Sequence, residues 1–426
     1  MEAIAFVIGV VLMIVGLAVS IALHEIGHLV PAKRFGVRVG QYMIGFGPTL
    51  WSRRYGETQY GFKAIPLGGY ISMAGMYPPS PAERAATGRA GGGFFATMVQ
   101  DARAANDETL QGDDDRVFYK LPVYKRVIIM LGGPVMNLLF AIVLFSILLT
   151  GIGVQTATTT VSALSECVPQ AGVTECTSSD PAPPAAAAGI EPGDTIVSVN
   201  GTAVTGFDEV SRIIQASPGE QLTLVIQRDG AERTVTVVPA AIDATGADGS
   251  AERIGFLGVR PTVEYERQPI WAGAAAAGEN VGAVAGIMWQ LPVKVYQTAT
   301  TLITGEERSA DSPLSIVGAG ILSGEVAAAE APVLNRVAGF LGLLASLNIA
   351  LFVFNLIPLL PLDGGHIVVA LWDGLKRFLA KLFHRPPPKP VDATKLVPVT
   401  FVVVIGLIVM GAVLILADIF NPLSII

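Results

Sequence analysis

The chain has 426 residues, 51% of them hydrophobic and only 15% charged. A soluble domain carries about 25% charge, so this composition excludes an ordinary water-soluble enzyme and points to a membrane protein. The formal net charge of -7 says little by itself, because the charges are unevenly placed, and no nucleic-acid partner is expected.

The first element, Ala3 to Leu23, carries no charge. At 1.5 Å per residue it measures about 30 Å, the thickness of a bilayer's hydrocarbon core. It lacks a basic leader and a small-residue cleavage site, so it reads as a retained span and not as a signal peptide. It runs into His24-Glu25-Ile26-Gly27-His28. On a helix, H-E-x-x-H sets two imidazoles on one face, where they can share a zinc ion, with the glutamate as base toward water. Ionisable residues at the end of a spanning helix are costly, which argues against a chance match. Segment 1–39 is therefore expected to be the first transmembrane helix, carrying His24 and His28 as metal ligands and Glu25 as the catalytic base.

Residues 40–76 are rich in Gly, Tyr and β-branched positions, and Gly61–Met73 reads as short strands broken by a Pro/Gly turn. This is expected to be a membrane-associated β element with an open edge. Segment 77–121, low in apolar residues and holding Asp113-Asp114-Asp115, reads as a cytoplasmic loop. Segment 122–154 is the second span, with Val127–Val154 as its apolar part.

Segment 155–265 reads as a soluble α+β module. Thr195–Val199 alternates as a strand does and leads to an Asn200-Gly201 turn. Phe207–Gln215 has a helical face of Val210, Ile213 and Ile214. Leu222–Gln227 and Thr234–Pro239 form strands joined at Asp229-Gly230, a hairpin signal. Ala188–Gly201 carries the pattern A-G-I-x-x-G-D-x-I-x-x-V-N-G, and on it the module resembles a circularly permuted bacterial PDZ domain. Such domains bind extended peptides at a sheet edge; a structural β domain without a ligand is the alternative. The two cysteines, Cys167 and Cys176, lie in this segment. A short loop in an oxidising compartment favours a disulfide between them, against two unpaired thiols.

Segment 266–335 reads as extracytoplasmic and interfacial. Its apolar stretch Asn280–Thr304 contains Pro292 and Lys294, and Leu314–Leu322 is too short to span. The third span is expected within 336–366, ending at Pro358 and Pro361, with Asp363 directly after. Segment 367–395 is an amphipathic helix and basic linker, and 396–426 is the fourth span and tail. Basic residues collect at 33–63, 120–126 and 376–395. By the positive-inside rule these are cytoplasmic, which puts both termini and segment 155–335 outside.

A catalytic zinc needs a third protein ligand and an open position. The first and third spans both run outside to inside, so Asp363 arrives at the depth of His28. His366 is the rival ligand, whereas His384 sits in the basic linker. Read alone, Asp363 would be a turn residue and helix cap.

At this point a whole-chain resemblance is specific. His24-Glu25-x-x-His28, Asn355-x-x-Pro358 with Leu362-Asp363-Gly364, and Gly133-Pro134-x-x-Asn137 are similar to the signatures of the site-2 intramembrane metalloproteases, in the branch of the bacterial regulator-of-sigma-E protease. Pro66–Tyr70 resembles that family's membrane-dipping β element. The resemblance implies Zn2+ on His24, His28 and Asp363, with Glu25 as base. It implies substrate contacts at Asn355, Gly68, Gly69 and Tyr70, with Asn137 a further candidate. It implies a bacterial inner-membrane enzyme with its active site near the cytoplasmic face. Its partners would be the bilayer and single-span protein substrates, such as trimmed anti-sigma factors or remnant signal peptides. The sigma-E-type enzymes have two tandem PDZ domains, and here one such pattern is found. The fold class expected is thus a polytopic α-helical membrane protein of about four transmembrane helices, with a membrane-associated β element and an extracytoplasmic PDZ domain. A catalytically silent PDZ adaptor is the competing class. A transporter would require an internal repeat of spans, which the sequence lacks.

Overall fold

The computed structural model describes residues 2–76, 99, 115–168, 181–245, 251–306, 308–309, 312–386, 388–391 and 393–423. The expected acidic loop lies largely outside these residues, and so does Cys176. Cys167 is not a free thiol. The chain separates into two compact units: residues 1–151 with 269–426, and residues 152–268.

The larger unit is helical. Helix α1 spans Glu2–Arg34 without interruption, with Glu2 in its first turn and Lys33 and Arg34 in its last, matching the helix dipole. Helix α2 spans Val123–Ser146 and ends in a π turn, Ile147–Ile152. Among the described residues, four helical segments are long and apolar enough to cross a bilayer: Glu2–Arg34, Val123–Ile152, Val333–Asn355 and Val397–Phe420. Together with the β-rich region described below, they make this a membrane protein with a β domain.

Between α1 and α2 lie two long strands, β1 (Val39–Tyr55) and β2 (Thr58–Met73). Residues 41–44 pair twice, with 69–72 and with 59–62, so the strands curl into a small sheet. Gly69–Met73 is paired on one side only, with 39–44, among the described residues. Tyr42 Oη donates to the Ala22 carbonyl at 2.9 Å and Lys33 Nζ to Tyr60 Oη at 2.7 Å, fastening the sheet to α1. Its distal end exposes Phe46, Leu50, Trp51, Phe62 and Ile65, an apolar tip suited to lipid.

Segment 266–335 contains a 33-residue helix, here α5 (Ala272–Thr304), and a 13-residue helix, α6 (Ile316–Ala328), which covers most of the short apolar stretch Leu314–Leu322. Here α6 packs on α1: Ser323 Oγ donates to the Gly9 carbonyl at 3.0 Å. Helix α7 (Val333–Asn355) runs beside α1, where the buried Asn348 Nδ2 donates to Ser20 Oγ at 2.9 Å. A turn over 356–362 leads into α8 (Asp363–Leu382), and α9 (Val397–Phe420) completes the unit.

In the smaller unit five strands lie in the order β10-β3-β4-β6-β7, with β5 beside β4. They are β3 (Val154–Leu164), β4 (Thr195–Val199), β5 (Thr202–Ala203), β6 (Leu222–Arg228), β7 (Ala231–Val237) and β10 (Val259–Glu266). Two short helices, α3 (Pro184–Ala187) and α4 (Phe207–Gln215), and a hairpin, β8 (Ala240–Thr245) with β9 (Ala251–Phe256), complete it. The core is Ile190, Ile196, Val199, Val210, Leu222, Leu224 and Ile226. Asp229 and Gly230 both take positive φ, as a two-residue type I′ turn requires. Buried Asp194 accepts from Arg228 Nε at 2.6 Å and from the Glu191 amide at 2.9 Å, tying the Gly-Asp turn to β6.

Candidate metal centre

His24 and His28 lie one turn apart on α1, and their Nε2 atoms are 3.2 Å from each other. The start of α8 brings Asp363 Oδ2 to 3.3 Å from His24 Nε2 and 3.4 Å from His28 Nε2. Three donors at metal–ligand distances of about 2.0–2.1 Å in a tetrahedron stand about 3.3–3.4 Å apart, so this triangle has the size of one zinc face. Asp363 Oδ2 is also buried without a hydrogen-bond donor, as a ligand oxygen awaiting a cation would be. Among the described residues, these three form the group able to hold a metal. His366 is not in it, and His384 is exposed past the end of α8.

The back of the site is α2. The Ile129 carbonyl is 2.7 Å from His28 Nδ1, so Nδ1–H donates there and Nε2 presents its lone pair. Asn137 faces His24 Nδ1 at 3.3 Å. Between them, Gly133 lies against both Nε2 atoms: a Cβ there would overlap His28 Nε2 and come within 2.7 Å of His24 Nε2. Residues 129, 133 and 137 are four apart and therefore share one stripe of the helix. That spacing was readable in the sequence; the carbonyl's role and the need for a bare Cα were not.

Glu25 is buried, and the edge strand reaches it. A Cβ on Gly69 would stand 3.1 Å from Glu25 Cγ and 2.8 Å from Ile21 Cγ2. Gly68 takes a φ of +136°, and Tyr70 Oη donates to Gln41 Oε1 at 3.1 Å. Asn355 is the last residue of α7 and donates from Nδ2 to the Leu351 carbonyl at 3.0 Å. Helix α8, which begins at Asp363, is locked to α2 by a buried ion pair, Arg126 Nη1 to Asp373 Oδ2 at 3.1 Å.

The model of peptidase family M50 matches residues 12–385, a stretch that contains every residue of this centre. The chain belongs to peptidase family M50. Among its relatives is the zinc metalloprotease Rip1 of Mycobacterium tuberculosis, 33% identical over 98% of each chain. Rip1 of Mycolicibacterium smegmatis is 35% identical over 99% of each, and the metalloprotease MmpA of Caulobacter vibrioides 28% over 88% of each. The resemblance to site-2 zinc metalloproteases is thus borne out at the level of the family, and with it a zinc-dependent proteolytic activity. Among the described residues, His24, His28 and Asp363 are the group that could hold the metal of such an enzyme.

Proposed function

We propose that this M50 peptidase cuts single-span membrane proteins within or beside the bilayer, with His24, His28 and Asp363 holding zinc and Glu25 as the base. The observation that carries the reading is the 3.2–3.4 Å triangle of donors closed by a residue from a distant helix. Bound zinc supplies Lewis acidity at the scissile carbonyl. Glu25 takes a proton from the attacking water and returns it to the leaving amide nitrogen. A transmembrane substrate hides its carbonyls in its own helix, so it must unwind before cleavage. The free edge of Gly69–Met73 offers backbone groups to the unwound segment, and Gly69 sets that segment beside Glu25. Asn355, at the end of α7 and eight residues before Asp363, is assigned to hold the substrate backbone from the other side.

The same reading makes residues 155–265 a single PDZ-like domain outside the membrane, acting as recognition platform or size filter. The strand order and the Asp194–Arg228 lock of the Gly-Asp turn support a defined module there. Basic residues at the ends of α1 and α8 and at the start of α2 support a centre near the cytoplasmic face of a bacterial inner membrane. Trimmed anti-sigma factors and remnant signal peptides fit as substrates, which makes the activity one step of regulated intramembrane proteolysis. Cys167 is assigned to a bond with Cys176. The test is Glu25→Gln in purified protein with a model single-span substrate. Cleavage should stop while zinc stays bound. Retained turnover would exclude Glu25 as the base.

A further inference from the structure

A histidine that binds zinc through one ring nitrogen carries hydrogen on the other, and an acceptor for that hydrogen fixes the tautomer. For His28 the acceptor is the Ile129 carbonyl. For His24, Nδ1 is turned away from the triangle and faces the side-chain amide of Asn137, 113 residues on in the chain. Asn137 is almost completely buried, only 1% exposed. As placed, its Nδ2 is 3.3 Å from His24 Nδ1, while its Oδ1 is buried with no partner. The two ends of a carboxamide have nearly the same shape and exchange by a half turn about the last torsion. The choice between them decides which nitrogen of His24 is free. With Nδ2 donating, Nδ1 is the acceptor and the hydrogen sits on Nε2, inside the triangle where a cation belongs. With Oδ1 turned to the ring, Nδ1–H donates to it and Nε2 presents its lone pair toward Asp363 Oδ2 and His28 Nε2. Only the second arrangement gives the triangle three donors, and it also gives Oδ1 a hydrogen.

We propose that Asn137 is the positioning residue of the metal centre: its Oδ1 accepts from His24 Nδ1–H and so holds His24 as an Nε2 ligand. This rests on the reading of His24 as a zinc ligand. It gives α2 a hand on both imidazoles, through a backbone carbonyl for His28 and a side chain for His24. A contact serving only to pack α1 on α2 would need neither an acceptor nor this partner.

Zinc affinity of the full-length protein in detergent, measured by competition with a chromogenic chelator, separates the two. Asn137→Leu keeps the volume and removes the acceptor, and should weaken zinc binding by about 10–100-fold. Asn137→Asp can only accept at this position and should return most of that loss, with the metal-free unfolding midpoint of both variants near that of the unmodified protein. Unchanged affinity in Asn137→Leu, or equal loss in Asn137→Asp, overturns the proposal. His24→Ala is the control. If it binds zinc normally, the ligand assignment itself is wrong; if it alone fails, only the role of Asn137 is. Should Asn137→Leu not fold, the 15N spectrum of histidine-labelled, zinc-loaded native protein decides. His24 must show hydrogen on Nδ1, and hydrogen on Nε2 refutes the assignment.

Discussion

Gly27 of α1 and Gly132 of α2 meet backbone to backbone: a Cβ on either would fall on the carbonyl oxygen of the other. Small residues let membrane helices approach this closely. The consequence lies one residue further along each helix. His28 follows Gly27 and Gly133 follows Gly132, so the crossing presses Gly133 against His28 Nε2 and His24 Nε2.

Gly133→Ala should therefore remove the metal and not merely slow the enzyme. The new methyl group would overlap His28 Nε2 and lie 2.7 Å from His24 Nε2, in the space the cation requires. Zinc affinity should fall by at least about tenfold, or ~1.4 kcal/mol, with helix content unchanged by circular dichroism. Stoichiometric zinc at wild-type affinity would mean that the cation sits elsewhere.

Gly69→Ala should behave in the opposite way. Its methyl group meets Ile21 Cγ2, the Met43 carbonyl oxygen and Glu25 Cγ but not the three donors. Zinc should stay bound while kcat falls by about 10- to 100-fold, the scale of a misplaced catalytic group. A variant with normal kcat and raised KM would show that Gly69 shapes substrate entry and leaves Glu25 undisturbed.

Part of this centre was legible because it is local, and the rest because the order of apolar segments in the sequence pointed to Asp363. H-E-x-x-H on a helix puts His24 and His28 together wherever the helix goes, and the charge pattern of the sequence led to the expectation that Asp363 follows a span running the same way as the first. Contacts set by helix packing were not legible. Nothing in the local pattern says that Ile129 lends its carbonyl to His28, or that Asn348 meets Ser20, because both depend on how α1, α2 and α7 rotate about their axes. The helix α6 was missed as a packed element for a related reason. Its 13 residues are too short to cross a membrane, and only its fit against α1 shows where they belong.

The smaller unit should lose stability in acid at one identifiable point. Arg228 beside Asp194 holds the carboxyl below its ordinary range. A depressed carboxylate stabilises the fold above its unfolded pKa of about 3.9, and that contribution is lost as pH falls through the lower folded value. Amides of β4 and β6 in the intact protein should keep their protection, corrected for intrinsic exchange, down to about pH 4 and lose it below. Asp194→Asn should be less stable at neutral pH and flatter across this range. An identical acid profile in that variant would assign the transition to another group.

The last prediction concerns what holds Asp363 in place. Helix α8 begins at Asp363 and is pinned ten residues on, where Asp373 accepts from Arg126 at 3.1 Å and from the Val391 amide at 2.8 Å. Both charges of the pair are buried, with side chains 5% and 2% exposed. Removing one partner of a buried pair costs up to about 3–5 kcal/mol, while replacing both by apolar groups costs much less; here Lys376 Nζ, 3.4 Å from Asp373 Oδ1, still faces the carboxylate after Arg126 is removed, which puts the cost at the lower end. Arg126→Met should therefore destabilise strongly in mixed-micelle unfolding and weaken zinc binding, since α8 is then free to carry Asp363 away from the histidines. Adding Asp373→Leu should recover part of both losses, with a coupling of about 1–3 kcal/mol. Recovery is incomplete because Val391 loses its acceptor. If stability fell in Arg126→Met while zinc affinity did not, the ion pair would anchor α8 without positioning its first residue.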